Sequence, residues 1–211
     1  MALSYPFELS GTDLLKLGSA AVLASIAAVW AGSFALSINL SGYDLISEHI
    51  VDEIIERVKA SGVDPRLLEF EVTETAMMPD TRRASKNLQR LAALGHQLAL
   101  DDFGAGYSNF SYLRTLPINK LKVDRSFMED LGDPMTERVL HSLVGTARTL
   151  GVHCLLEGIE TELDLVIAKR VGAQSVQGFL FGRPMTKPEL ERTLAGHQQA
   201  QRPRPRVAAS R

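Results

Sequence analysis

The chain has 211 residues and a formal charge of −2, with 45% hydrophobic and 23% charged side chains, which fits one globular domain with a proper core and excludes a chain too polar to fold. The stretch from Gly196 to Arg211 carries four Arg and no acid, leaving nineteen basic against 25 acidic side chains elsewhere, so the folded part is net acidic and a nucleic-acid duplex is not an expected partner. The single Cys154 excludes an internal disulfide, and a cytoplasmic, reducing location is expected.

Residues 1–11 carry no periodic signal. No charged residue falls between Leu17 and Tyr43, a length that nominally suffices for a membrane span. Gly32-Ser33 interrupts it, however, and only fifteen residues separate Lys16 from Gly32. A buried helix capped by Thr12 or Asp13 and stopped by Gly32 is expected instead, with neither a membrane span nor a signal peptide. A short strand then ends at Asn39. A helix over 47–60 places Ile50, Ile54 and Val58 on one face, with Gly62 beyond its end. The next strand, 67–73, has Glu71 in its latter half and Glu74 just after it. Asp80 caps a helix whose stripe is Ala84, Leu88 and Leu91, and Gly95 ends it.

The central strand ends in Asp101-Asp102 and breaks into a glycine-punctuated loop. Asp is common at strand-to-turn junctions because it bonds its own backbone. Adjacent strand residues point to opposite sides, though, so two neighbouring carboxylates are not ordinary decoration of one face. A short helix over 109–113 leads to Lys120-Leu-Lys122. Asp133-Pro134 opens the next helix, Gly151 ends it, and a strand runs to Glu157. Thr161 opens a helix to about Val171, a strand over 175–179 contains Gln177, and a closing helix starts at Thr186. From residue 196 onward Gln, Pro, Arg and Ala without periodicity predict a disordered basic tail, so residues 1–195 form the domain.

Six strand–helix alternations with tight connections predict an α/β fold, a parallel sheet wrapped by helices. The polar residues Asn39, Glu71, Asp101/Asp102, Lys122, Glu157 and Gln177 close successive strands at spacings of 32, 30, 21, 35 and 20 residues. A parallel barrel builds its active site from such C-terminal strand ends. Taken singly, Lys122 reads as a buried stem with a solvated head and Gln177 as a polar edge residue. Six coincidences at six strand ends are another matter. Four carboxylates and an amide make an all-oxygen set that favours Mg²⁺ or Mn²⁺ over Zn²⁺. Two such ions suit phosphoester hydrolysis, with Lys122 and Gln177 addressing phosphate or water.

Ser37-Ile-Asn-Leu-Ser41, Glu71-Val-Thr-Glu74, Asp101-Asp-Phe-Gly-Ala-Gly-Tyr-Ser108, Leu121-Lys-Val-Asp124, Glu157-Gly-Ile-Glu160 and Gln177-Gly-Phe179 occur in this order. In these motifs the chain resembles the EAL domain, the bacterial phosphodiesterase that linearises cyclic di-GMP. The resemblance implies a TIM-like (β/α) barrel and a two-metal site, with Asn39, Glu71 and Asp101 on one ion and Asp101, Asp102 and Glu157 on the other. It further implies Lys122, Glu157 and Asp102 as catalytic groups, and Gln177, Phe103, Gly104 and Ser108 as substrate contacts. Residues 103–108 match the family's mobile loop, with Glu74 and Glu160 as its anchors.

Family members also carry a Glu-Ala-Leu-x-Arg strand well upstream of the Asn motif, which supplies a further metal ligand and an Arg. Neither Ala2-Leu3 nor Glu8-Leu9 supplies it. The expectation is therefore an incomplete barrel of six strands, the first two absent, in a chain that hydrolyses cyclic di-GMP weakly. Such a chain is expected to be marginal, aggregation-prone, or completed at its open edges by a second copy or a regulatory protein. The alternatives are a non-catalytic EAL-like module that binds nucleotide or protein and, disfavoured by the Asp-Asp loop, an unrelated metal-dependent barrel enzyme.

Overall fold

The computed structural model describes residues 2–3, 9–10, 36–104, 113, 115–129, 131, 133–183, 189 and 192. The helix expected over 12–31, loop residues 105–108, the short helix over 109–112, most of the closing helix from 186 and the basic tail lie outside them. In chain order the elements are β1 (Ala2–Leu3), β2 (Leu9–Ser10), β3 (Leu36–Asn39), α1 (Gly42–Ile46), α2 (Glu48–Ser61), β4 (Leu68–Thr73), α3 (Glu74–Met77), α4 (Thr81–Ala93), β5 (Gln97–Phe103), β6 (Lys120–Val123), α5 (Ser126–Glu129), α6 (Pro134–Thr149), β7 (His153–Leu156), α7 (Glu162–Val171) and β8 (Ser175–Val176).

Within the described residues, the expected helix starts at Ser47, Asp80, Asp133 and Thr161 are the observed ones, and each has a local cause. Ser47, Asp80, Asp133 and Thr161 accept backbone N–H groups as N-caps of α2, α4, α6 and α7, and Thr161 forms a reciprocal capping box with Asp164. Helix α1 was not expected from periodicity, because five residues are too few to show any. Its signal is the Ser41–Asp44 capping box, in which Ser41 accepts from the Asp44 N–H and the Asp44 carboxylate accepts from the Ser41 N–H at 2.9 Å.

All pairings are parallel, in the order β1-β8-β7-β6-β5-β4-β3-β2. The six expected strands are present as β3 to β8. Two further two-residue strands lie at the edges, with Ala2–Leu3 along Ser175–Val176 and Leu9–Ser10 along Ile38–Asn39. The described residues thus hold eight strands where six were expected, and β3 and β8 are not the outermost. Two residues are too short for the alternation that reveals a strand. Among the described residues no ladder joins β1 to β2, so the sheet is open there, an incomplete barrel.

Alternation divides each strand between two environments. Ile38, Phe70, Val72, Leu98, Leu100, Leu121, Val123, Cys154 and Leu156 join the core beneath the helices, with Ile54, Leu88, Leu91 and Leu140. The intervening residues face the inside of the curl, where the polar Ser37 and Asn39, Glu69 and Glu71, and Lys120 and Lys122 stand alongside the apolar Ala99 and Leu155.

His96, 3% exposed, lies edge-on to Phe70 with ring centroids 5.0 Å apart. Its Nδ1 is 3.1 Å from the Pro65 carbonyl, which can only accept, so Nδ1 carries the hydrogen. Burial holds its pKa below the ordinary value, against the hydrogen bond to Pro65. The unfolded chain therefore takes up the proton first. Its contribution to stability is complete above the unfolded pKa and is lost as pH falls below it. Urea unfolding at about pH 7.5 and about pH 5.5 should show a larger acid loss for the wild type than for His96→Asn.

Candidate functional site

The Asp101-Asp102 junction owes its chemistry to a bulge. Along β5 and β6, Leu100 pairs with Leu121 but Phe103 pairs with Val123, so β5 has one more residue than its partner across that interval. Asp102 takes up the extra residue with φ 53°, a left-handed conformation that Asp tolerates better than most side chains. The bulge cancels the strict alternation. Asp101 and Asp102 can then serve one mouth from adjacent positions, and the Asp102 N–H donates to Asp101 Oδ1 at 3.1 Å.

Lys122, 2% exposed, rises from β6 into the middle of the site. Its Nζ lies 2.6 Å from Glu71 Oε2, 2.9 Å from Asp101 Oδ1 and 3.0 Å from Glu157 Oε1, on β4, β5 and the end of β7. Burial disfavours the charged ammonium, but the charges of Glu71, Glu157 and Asp101 outweigh it and raise its pKa. The same burial raises Glu71, against the pull of Lys122, and pushes Glu157 up to about 7. One ammonium thus holds together three carboxylates that would otherwise repel.

Asp101, Asp102 and Glu157 each offer a carboxylate oxygen, all within 4.8 Å of one another. These hard oxygen donors fit a divalent cation of the Mg²⁺ or Mn²⁺ kind. Asn39 stands at the end of β3 in register with Glu71. Gln177 follows β8, its N–H on the Leu156 carbonyl at 2.9 Å and its own carbonyl accepting from Ile159 at 3.0 Å.

Around the mouth, Phe103 is buried. Gly104 has φ 97°, and a Cβ there would come within 2.5 Å of the Phe127 ring, so only glycine fits where the Asp-Asp segment turns into its loop. Ser108 lies outside the described residues. Glu74 opens α3 beside β4, and the Glu160 N–H donates to Asp164 at 2.9 Å, tying the loop after β7 to the start of α7. Periodicity missed the bulge, which leaves no trace in residue types. It also passed over the Lys120–Glu69 pair, although Lys-x-Lys and Glu-x-Glu at period two were a legible signal for it.

A family model for the EAL domain matches residues 12–184. The chain is 38% identical over 157 residues to the cyclic di-GMP phosphodiesterase PA2567 of Pseudomonas aeruginosa, covering 74% of this chain and 27% of that protein. It spans about a quarter or less of the length of the curated relatives of this kind that it matches. Among solved structures it is similar to the EAL domain of Mycobacterium smegmatis DcpA, with a TM-score of 0.78, 29% identity and 89% of each chain covered. It is also similar to Klebsiella pneumoniae BlrP1 in a manganese and cyclic di-GMP complex, with a TM-score of 0.71, 33% identity and 78% and 43% of the two chains covered.

Proposed function

The chain belongs to the EAL domain family, and from that premise we propose that its carboxylate–lysine cluster binds cyclic di-GMP and hydrolyses one phosphodiester bond to the linear dinucleotide, at a low rate. The observation that carries this reading is the convergence of Glu71, Asp101 and Glu157 on Lys122, with Asp102 brought alongside by the bulge. PA2567 supports the reaction by its name, and BlrP1 supports the ligand and a divalent cation by its contents.

Asp101, Asp102 and Glu157 would hold a divalent ion, with Asn39 and Glu71 beside Asp101 for a second; Mg²⁺ and Mn²⁺ are the ions proposed. When bound, such ions neutralise phosphate charge and make a water more acidic. The chain's own groups do the rest. Lys122 presents a fixed positive charge to phosphate and keeps Glu71 and Glu157 aligned, and Gln177 orients phosphate or water from the neighbouring strand. Gly104 and Ser108 are the proposed contacts to the nucleotide, with Phe103, buried in the core, as the proposed support at the base of their loop and Glu74 and Glu160 as its proposed anchors. The low rate follows from a sequence without a Glu-Ala-Leu-x-Arg segment. Beside β3 the residue in register with Asn39 is Ser10, which is not a carboxylate.

Among the described residues no helix is long and apolar enough to cross a membrane. A cytoplasmic place of action is proposed, with a second copy or a regulatory protein at the open sheet edges as macromolecular partner.

The test is calorimetric binding of cyclic di-GMP together with chromatographic detection of the linear product in Mn²⁺ and in Mg²⁺. Binding with slow product formation is expected, and absence of both overturns the reading. Within the site, Asp101→Asn should weaken Mn²⁺ binding more than Asp102→Asn, because Asp101 is assigned to both ions and Asp102 to one. Equal losses in metal titrations of the two variants would remove the bridging role.

A further inference from the structure

Beneath the cluster lies a second one of the same construction. Residues two apart on a strand face the same side, so Ser37, Glu69 and Lys120 stand one layer below Asn39, Glu71 and Lys122. Glu69 is buried and receives Lys120 Nζ at 2.7 Å on Oε1 and 2.5 Å on Oε2. The Ser37 hydroxyl donates to Glu69 Oε1 at 3.2 Å, and its hydrogen bonding also favours the charged form of Glu71. Beside them, in register with Lys120, His153 Nε2 meets Ser175 Oγ at 2.6 Å. Bulky aliphatic side chains usually fill such barrel layers.

A buried ion pair is a poor device for stability, because apolar residues of similar volume often serve as well. This pair has another consequence. Two carboxylates two residues apart on β4 face two ammonium groups two residues apart on β6 across β5, and they pair one to one with the same stagger: Lys120 with Glu69, Lys122 with Glu71. Without Lys120, Glu69 would be a buried carboxylate lacking its counter-ion. The ammonium next along the same strand face is Lys122, on a flexible four-carbon stem.

We propose that Lys120 is a positioning residue: by neutralising Glu69 it keeps the Lys122 ammonium in the upper layer, on Glu71, Asp101 and Glu157. The role rests on reading the upper cluster as the working site, but its test does not depend on cyclic di-GMP.

The full chain is compared as wild type, Lys120→Met, Lys120→Arg and the double variant Glu69→Gln/Lys120→Met, by crystal structure and by Mn²⁺ titration. In Lys120→Met, Lys122 Nζ should move down onto Glu69. Mn²⁺ should then bind more tightly, on the order of tenfold, because a positive charge has left Asp101 and Glu157. Lys120→Arg restores the counter-ion and the double variant removes the competing carboxylate, so both should keep Lys122 in place and retain wild-type affinity. A purely structural role would lower the melting temperature of Lys120→Met without tightening Mn²⁺. Should Lys120→Met fail to fold, Lys120→Gln, which keeps a donor for Glu69, should shift both readouts in the same direction by less. Lys122 remaining on Glu71 in Lys120→Met or Lys120→Gln overturns the proposal. A wild type that ignores cyclic di-GMP while Lys122 moves as expected overturns the phosphodiesterase reading and supports the positioning role.

Discussion

A Lys122→Met variant freed of divalent cations should lose roughly 3–5 kcal/mol of unfolding free energy near neutral pH, and millimolar Mn²⁺ should return much of it. Lys122 is 2% exposed and lies 2.6, 2.9 and 3.0 Å from Glu71, Asp101 and Glu157. Methionine fills much the same space but leaves the carboxylates in a low-dielectric mouth without a counter-charge. Breaking a buried pair from one side is far more damaging than replacing both partners, because the remaining charge keeps its desolvation cost. A cation held by Asp101, Asp102 and Glu157 supplies the missing charge and binds only the folded chain, so it restores stability by mass action.

The pH dependence of that loss has a definite sign. Glu157 is already pushed up to about 7 by burial, and Glu71 is raised by the same cause. A carboxyl whose folded pKa exceeds its unfolded value binds protons preferentially in the fold, so stability rises as pH falls through that window. Removing Lys122 raises both groups further. The deficit of Lys122→Met should therefore be larger at about pH 8 than at about pH 5.5. Urea unfolding in a chelator at the two values checks the order. Wild-type stability for the variant at the higher pH would show that Lys122 does not hold the cluster together.

Much of this site was legible because its residues are unusual for where they stand. Lys122, Glu71 and Asp101 interrupt strands whose alternate residues are Leu, Val and Phe, and their spacing of one strand–helix unit marks them as strand ends. Helix starts were legible for a similar reason, since Asp80, Asp133 and Thr161 announce themselves by side-chain chemistry acting within three residues. Features that depend on the partner strand were not legible. The bulge at Asp102 exists only relative to β6, and β1 and β2 exist only through their ladders with β8 and β3. The Lys122–Glu71 and Lys120–Glu69 contacts each span 51 positions, beyond any local pattern. Their parallel placement appears only once the register sets Glu71 beside Ala99 and Ala99 beside Lys120.

Cyclic di-GMP should bind this chain far better than it is hydrolysed, and a carboxylate introduced at position 10 should narrow the gap. Glu71, Asp101, Asp102 and Glu157 cover most of the ligand set the family resemblance implies, and Lys122 and Gln177 remain to address phosphate. Binding therefore keeps most of its contacts, less the strong bidentate contact an Arg would add. Turnover depends on alignment more steeply. A misplacement of about 1 Å in the attacking group can cost on the order of a hundredfold in rate, and an ion held by one carboxylate too few is expected to lose alignment. The β2–β3 register pairs position 10 with Asn39, so Ser10→Glu introduces a carboxylate at the strand position in register with that proposed ligand. Its kcat should rise by about tenfold or more, with KM little changed, because the added group acts on alignment rather than on substrate affinity. Steady-state rates in Mn²⁺ for wild type and Ser10→Glu, beside binding isotherms in Ca²⁺, separate the two quantities. A wild type that turns over as fast as the cyclic di-GMP phosphodiesterase PA2567 under the same conditions would remove the premise. A Ser10→Glu variant that gains affinity but no rate would place position 10 in substrate binding instead.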